Sequence, residues 1–115
     1  MSSISEVISH VVQKLEGVGL TVATNPSEFW PDPVACLVGI PYMTARTLNG
    51  YQVIVPVRVV CAQWLDDDIR DQFFDSAKAA AVALDVEEFD PDGWQTSSDS
   101  ELPAYLLNPT ILWED

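Results

Sequence analysis

His10 is the only histidine in the chain, so any acid-base or metal chemistry built on imidazole has to be built there. A catalytic or ligating histidine needs a nucleophile, an orienting carboxylate or further ligands at a defined spacing. His10 stands apart from both cysteines, on the polar side of an amphipathic stretch, and reads as a solvated helix residue. Cys36 and Cys61 each sit inside an apolar, strand-like run, where a free thiol behaves as a small hydrophobe. The triplet Asp66-Asp67-Asp68 suggests a cation site but lacks the spaced oxygens and the glycine of a calcium loop; it reads as helix capping plus solvation. Glycines 17, 19, 39, 50 and 93 make neither a dinucleotide fingerprint nor a phosphate loop. Carboxylates are abundant, but none is marked as one of a buried pair. We therefore expect no catalytic residue, no metal site and no cofactor: the chain does not read as an enzyme.

The elements that would position these residues are legible as periodicities. Ile4, Val7, Ile8, Val11, Val12 and Leu15 recur at the 3.6-residue period of one helical face, with Ser3 and Glu6 as a capping box and Gly17 as a left-handed stop. A short strand is expected over 19–24. The segment NPSEFWPDP follows, where three prolines forbid a ladder and the pair Phe29-Trp30 needs something to lie against. Two readings stand for that pair: a lid folded over the protein's own core, or an anchor for a partner.

Residues 35–42 and 51–64 read as the strongest strands, joined by a turn at Asn49-Gly50 into a long β-hairpin whose tip offers Arg46. In the second strand Val53, Val55, Val57, Val59 and Cys61 share one face, expected to be core; the other face is mixed and carries Arg58. Pro56 removes a ladder donor from this run and places it at a sheet edge or a bulge. A second helix opens at Asp66 or Asp67, with Ile69, Phe73, Ala77, Ala80 and Leu84 as its buried stripe and small alanines allowing close approach. Residues 85–101 read as an acidic loop without period, containing a Trp94 that is either pinned to the domain or buried by a partner. Residues 103–115 read as a terminal edge strand. The expectation is one α+β domain over residues 1–115: a small mixed or antiparallel sheet with a long hairpin, flanked by two helices, in the order α-β-β-β-α-β.

Charge limits the partners. Five basic residues stand against 18 acidic ones, a formal net charge of −13 on 115 residues, which repels phosphate backbones and anionic lipid headgroups. The acid is uneven: residues 1–65 hold four acids and three bases, a net of −1, leaving −12 for residues 66–115. Asp85, Glu87, Glu88, Asp90 and Asp92 head a stretch with no base after Lys78; it reads as a solvated face or as a docking surface for a basic partner. The start MSSISEVISH has no basic leader and no long apolar run, so the chain is expected in a reducing cytoplasm, neither secreted nor membrane-spanning.

With the proline-bearing segment before ACLVGIP, the strand YQVIVPVRVVCA, the Asp-led helix DDDIRDQFFDSAKAAAVAL and a closing strand, nearly the whole chain resembles the small tail terminator proteins of long-tailed bacteriophages, particularly of actinobacterial phages. These tail completion, or tail-to-head joining, proteins form a hexameric ring on the last ring of tail-tube subunits, stop its growth and face the head connector. The resemblance implies a virion protein at the tail-neck junction, assembled in the host cytoplasm. Its partners would be further copies of itself, the major tail tube protein and a connector or head-closure protein, with DNA passing through the lumen unbound. It makes Phe29, Trp30, Arg46, Asn49, Pro56, Arg58 and Trp94 candidates for the subunit or tube interface, and Asp85, Glu87, Glu88, Asp90 and Asp92 candidates for an acidic lumen or docking surface. Two alternatives remain: another neck protein, whether head closure or head-tail adaptor, and an acidic cytoplasmic protein that binds a basic partner.

Overall fold

The computed structural model describes residues 4–26, 29, 31–46, 48, 50–62, 67–95 and 101–114, the side chains of 113 and 114 excepted. Helix α1 (Ile4–Gly17) buries Val7, Val11 and Leu15, one stripe of the expected face, with Ile8 and Val12 half-buried beside it. It does not stop at Gly17 by a left-handed turn. That role falls to Gly19, at φ 86°, where Gly19 N–H donates to Glu16 O and Leu20 N–H reaches back to Leu15 O. This pair of bonds satisfies the orphan carbonyls of the last turn. Helix α2 (Asp67–Ala83) ends the same way, but with Asp85 rather than glycine in the left-handed position, at φ 55°. The hydrophobes that follow, Leu20 and Val86, both fold back onto the core.

Eight strands complete the described residues: β1 (Val22–Ala23), β2 (Val34–Val38), β3 (Tyr42–Arg46), β4 (Gly50–Ile54), β5 (Val57–Cys61), β6 (Asp90–Gln95), β7 (Glu101–Leu107) and β8 (Thr110–Glu114). They form a five-stranded sheet in the order β1-β2-β5-β7-β6 and a three-stranded sheet in the order β3-β4-β8. Only β1 and β2 pair in parallel. The class is thus α+β with small mixed and antiparallel sheets, as expected.

The second sheet continues the first. β2 runs into β3, β4 into β5 and β7 into β8, so three stretches of chain each cross from one sheet to the other. A proline stands at every crossing: Pro41, Pro56 and Pro109. Proline has no N–H to donate, so a ladder that meets one is free to bend away. The bend is tied at two points: Gly39 N–H donates to Pro56 O at 2.7 Å, and Val55 N–H donates to Pro109 O at 3.1 Å. Gly39 lies close against its neighbour: a Cβ there would lie 3.1 Å from Cγ of Pro56, so a larger residue would need the proline ring to give by a few tenths of an ångström.

Four expectations are corrected by this arrangement. The runs 35–42 and 51–64, of which 63 and 64 lie outside the described residues, each hold parts of two strands, although the hairpin they form is real and long, from Val34 opposite Cys61 to Arg46 opposite Tyr51. Pro56 lies at a joint, not at an edge, since β4 and β5 are both interior strands. The terminal run is also two strands, and β7 is interior; Pro103 is tolerated because β7 there pairs with Gly93 of β6 beyond the end of the β5 ladder. The acidic loop over 85–101 contains β6 and the start of β7. Its strand was hidden because β6 is an edge with a single ladder partner, so Asp90, Pro91, Asp92 and Gly93 serve as edge protection and no alternating pattern is enforced.

One face of the five-stranded sheet meets both helices. Val57, Val59, Cys61, Cys36 and Leu107 pack there against Leu15, Phe73, Ala77 and Ala80, and Val53 and Val55 carry the same core toward the second sheet. The odd-numbered face of the VPV run is therefore core throughout, despite the break. Beyond the joint the second sheet projects as an arm, giving extents of 49 × 28 × 21 Å. Its radius of gyration, 14.4 Å, exceeds the ~13 Å of a compact chain of this length. Leu107 and Leu112 lie on the two sides of the crossing, the first fully buried and the second 57% exposed. Leu107→Ala is expected to cost about 2–5 kcal/mol in urea unfolding, and Leu112→Ala about 0.5 kcal/mol or less.

Candidate functional site

The other face of the five-stranded sheet gathers four of the sequence-derived residues, Phe29, Arg58, Asp92 and Trp94. Ala35 and Leu37 of β2, Val60 of β5 and Ala104 of β7 form an apolar floor, and Phe29, brought over by the proline-rich segment, is buried on it. Trp94 of β6 meets Phe29 edge to face, ring centroids 5.0 Å apart and planes at 90°. The described part of this segment is thus a lid on the protein's own sheet, and Trp94 is pinned to the domain. Trp30 lies outside the described residues.

Arg58 shares this face. Its Nε donates to Oδ2 of Asp92 at 2.9 Å, reaching over β7 from β5 to β6. Both side chains are about one-third exposed, at 33% and 34%, and a pair so wetted contributes at most about 1 kcal/mol. The pair orients the edge strand more than it stabilises it. The remaining acids are dispersed: Glu87, Glu88 and Asp90 are exposed on and before β6, while Asp85 closes the turn after α2.

Asp85 also borders a cleft of about 430 Å³ between α1, the end of α2 and the β7–β8 crossing, lined by His10, Lys14, Asn108 and Thr110 over apolar Val11, Leu84 and Ile111. His10 is an exposed helix residue there, as expected. No group of three or more His, Cys, Asp or Glu able to hold a metal occurs among the described residues, and none of their buried side-chain polar atoms lacks a partner. No helix among them is long and apolar enough to cross a membrane. Cys36 and Cys61 are free and buried, and burial pushes the Cys36 thiol up to about 12. A thiol held protonated in this way is not a nucleophile at neutral pH.

The arm holds what sequence reasoning missed. Arg46 ends β3 near its tip; Asn49 lies outside the described residues. Nine large hydrophobes are exposed among the described residues, and Ile40, Tyr42, Met43, Leu48 and Leu112 all belong to the arm or its base. Apolar exposure is thereby concentrated where the chain is nearly neutral. Among the described residues β3 and β8 are its two outer strands with a single ladder partner each, and β3 bulges between Met43 and Ala45. Only the exposure of these residues was hidden; their apolar types were visible. No known family model matches the chain, and no curated protein matches it.

Two measurements test this picture. A double-mutant cycle of Phe29→Ala and Trp94→Ala in chemical unfolding is expected to give a coupling of about 0.5–1.5 kcal/mol. For Cys36, the folded state keeps the proton that the unfolded chain releases near the ordinary thiol value, so its contribution is complete below that value and is lost as pH rises. Stability should fall above pH 9.0 by up to about 1.4 kcal/mol per pH unit until about 12, with a shallower slope in Cys36→Ala.

Proposed function

We propose that the protein is a structural ring subunit of the tail-terminator type, which caps the tail tube of a long-tailed bacteriophage, stops its polymerisation and joins the tail to the head connector. The observation that carries this reading is the projecting arm: a three-stranded sheet whose outer strands β3 and β8 have no further partner strand among the described residues, and which with its base exposes Ile40, Tyr42, Met43, Leu48 and Leu112. Large hydrophobes left bare on one part of a molecule point to a surface covered in an assembly, and a head-to-tail contact that repeats by rotation closes into a ring. The sequence resemblance supplies the biological setting.

The charge distribution supports the same reading. Exposed Glu87, Glu88, Asp90 and Asp92 lie on or just before β6, the edge strand of the five-stranded sheet. A lumen lined by such a surface lets DNA pass, because like charge weakens every phosphate contact. Subunits carrying −13 each must also assemble against mutual repulsion. Salt shortens the range of that repulsion below the ~8 Å of physiological ionic strength.

The purified protein is expected to form a closed ring of about six 12.7 kDa chains, read by native mass spectrometry and electron microscopy. Raising the salt should favour the ring. A strict monomer at high concentration in every buffer overturns the proposal.

A further inference from the structure

The helix side of the five-stranded sheet carries a second aromatic group, away from the Phe29–Trp94 lid. Phe74 of α2, Phe89 just before β6 and Tyr105 of β7 meet there, with ring centroids 5.5 Å apart for Phe74 and Phe89, 5.9 Å for Phe74 and Tyr105 and 5.1 Å for Phe89 and Tyr105. Phe89 and Tyr105 are half-buried against the core, and Tyr105 also meets the buried Phe73. Phe74 is 45% exposed, so the group shows one ring to solvent.

The surroundings of that ring are acidic. Asp71, Phe74, Asp75 and Lys78 stand at the i, i+3, i+4 and i+7 positions of one stripe of α2, all exposed. A helical side chain leans toward the preceding turn, which brings Phe74 over the turn that holds Asp71. Exposed Glu88 adjoins Phe89 in the chain. Asp90 and Asp92 belong elsewhere: they are registered opposite Leu106 and Ala104, on the sheet face of Arg58, while Tyr105 faces the helices. A cation already stands over the ring, because Lys78 Nζ lies 5.8 Å from the Phe74 centroid. It is loosely held, 3.7 Å from Asp75, with both side chains largely exposed. Arg70 is engaged by Asp67 at 2.6 Å, and Asp71 has no ion-pair partner among the described residues.

We propose that Phe74 and Asp71 form a docking site for an arginine-bearing segment of a partner protein. A planar guanidinium stacks on an aromatic face while its N–H fork binds a carboxylate, and here the ring and the unpaired acid one turn away supply the two halves. Charge selects the sign of the partner. The site lies in residues 66–115, which carry −12 of the formal −13, so a basic segment is drawn to this part of the chain. A neutral apolar partner covering Phe74 would instead desolvate Asp71 and Asp75 without compensation. Lysine supplies the charge but not the fork. The site is whole in a single chain and stands or falls independently of the ring reading.

The test is calorimetric titration of the full chain with a hexa-arginine peptide at physiological salt, with circular dichroism as a check on folding. Phe74→Leu keeps the charge and the apolar bulk but removes the π face, and should weaken binding about two- to fivefold. Asp71→Asn should weaken it about twofold or more. The control is Glu16→Gln, which removes one exposed charge from α1, the helix beside β1 at the sheet edge opposite β6, and should leave binding close to the parent's. In the parent, backbone amide shifts perturbed by the peptide should centre on residues 71–78. If Phe74→Leu binds like the parent, or Glu16→Gln weakens binding as much as Asp71→Asn, the peptide reads bulk charge alone and the site is overturned. Perturbation centred on residues 90–95, or a parent that does not bind the peptide, overturns it as well.

Discussion

A missing hydrogen-bond donor shapes this molecule. Three prolines, at 41, 56 and 109, fall at one level across three neighbouring strands, and there the sheet stops being one sheet. A lone proline in a ladder is a local defect. Three within a residue of one another interrupt the ladders across their width, and the carbonyls of Pro56 and Pro109 accept the bonds that tie the strands together there. On one side the strands lie under two helices with a continuous buried core; on the other Val53, Tyr51 and Ile111 still reach that core, while Tyr42, Met43 and Leu112 are left exposed.

The two faces of the five-stranded sheet are closed by different means. The helix side uses shape: Ala77, Ala80 and Ala81 bring α2 close enough for Phe73 to reach the valines of β5. Among the described residues the opposite side meets no helix and is covered by the buried Phe29 of an irregular segment, braced by Trp94. This explains how Val60, on the even-numbered face of its strand, is as thoroughly buried as its odd-numbered neighbours.

Periodicity made the helices and the odd face of the VPV run legible, because each is amphipathic against a single core. It did not reveal that one alternating run spans two sheets, since alternation survives a bend: Val53, Val55 and Val57 remain inward on both sides of Pro56. β6 was invisible for the opposite reason. An edge strand with one partner obeys the chemistry of solvent and edge protection before that of burial. Of the candidate interface residues, Phe29 and Trp94 revealed their need for cover but not its source. Arg46 was conspicuous for its charge, while Tyr42, Met43 and Leu112 looked like ordinary strand hydrophobes, because exposure is a property of topology.

The joint also has a mechanical side. All three strands pass through it as unbroken chain, so a load applied to the arm along the strand direction is carried by covalent backbone into β2, β5 and β7. There the antiparallel ladders lie side by side and resist sliding with many hydrogen bonds at once, instead of being peeled one by one. The element with the least cover is thereby anchored in the part of the molecule with the most, and tension on the arm is delivered to the core as shear.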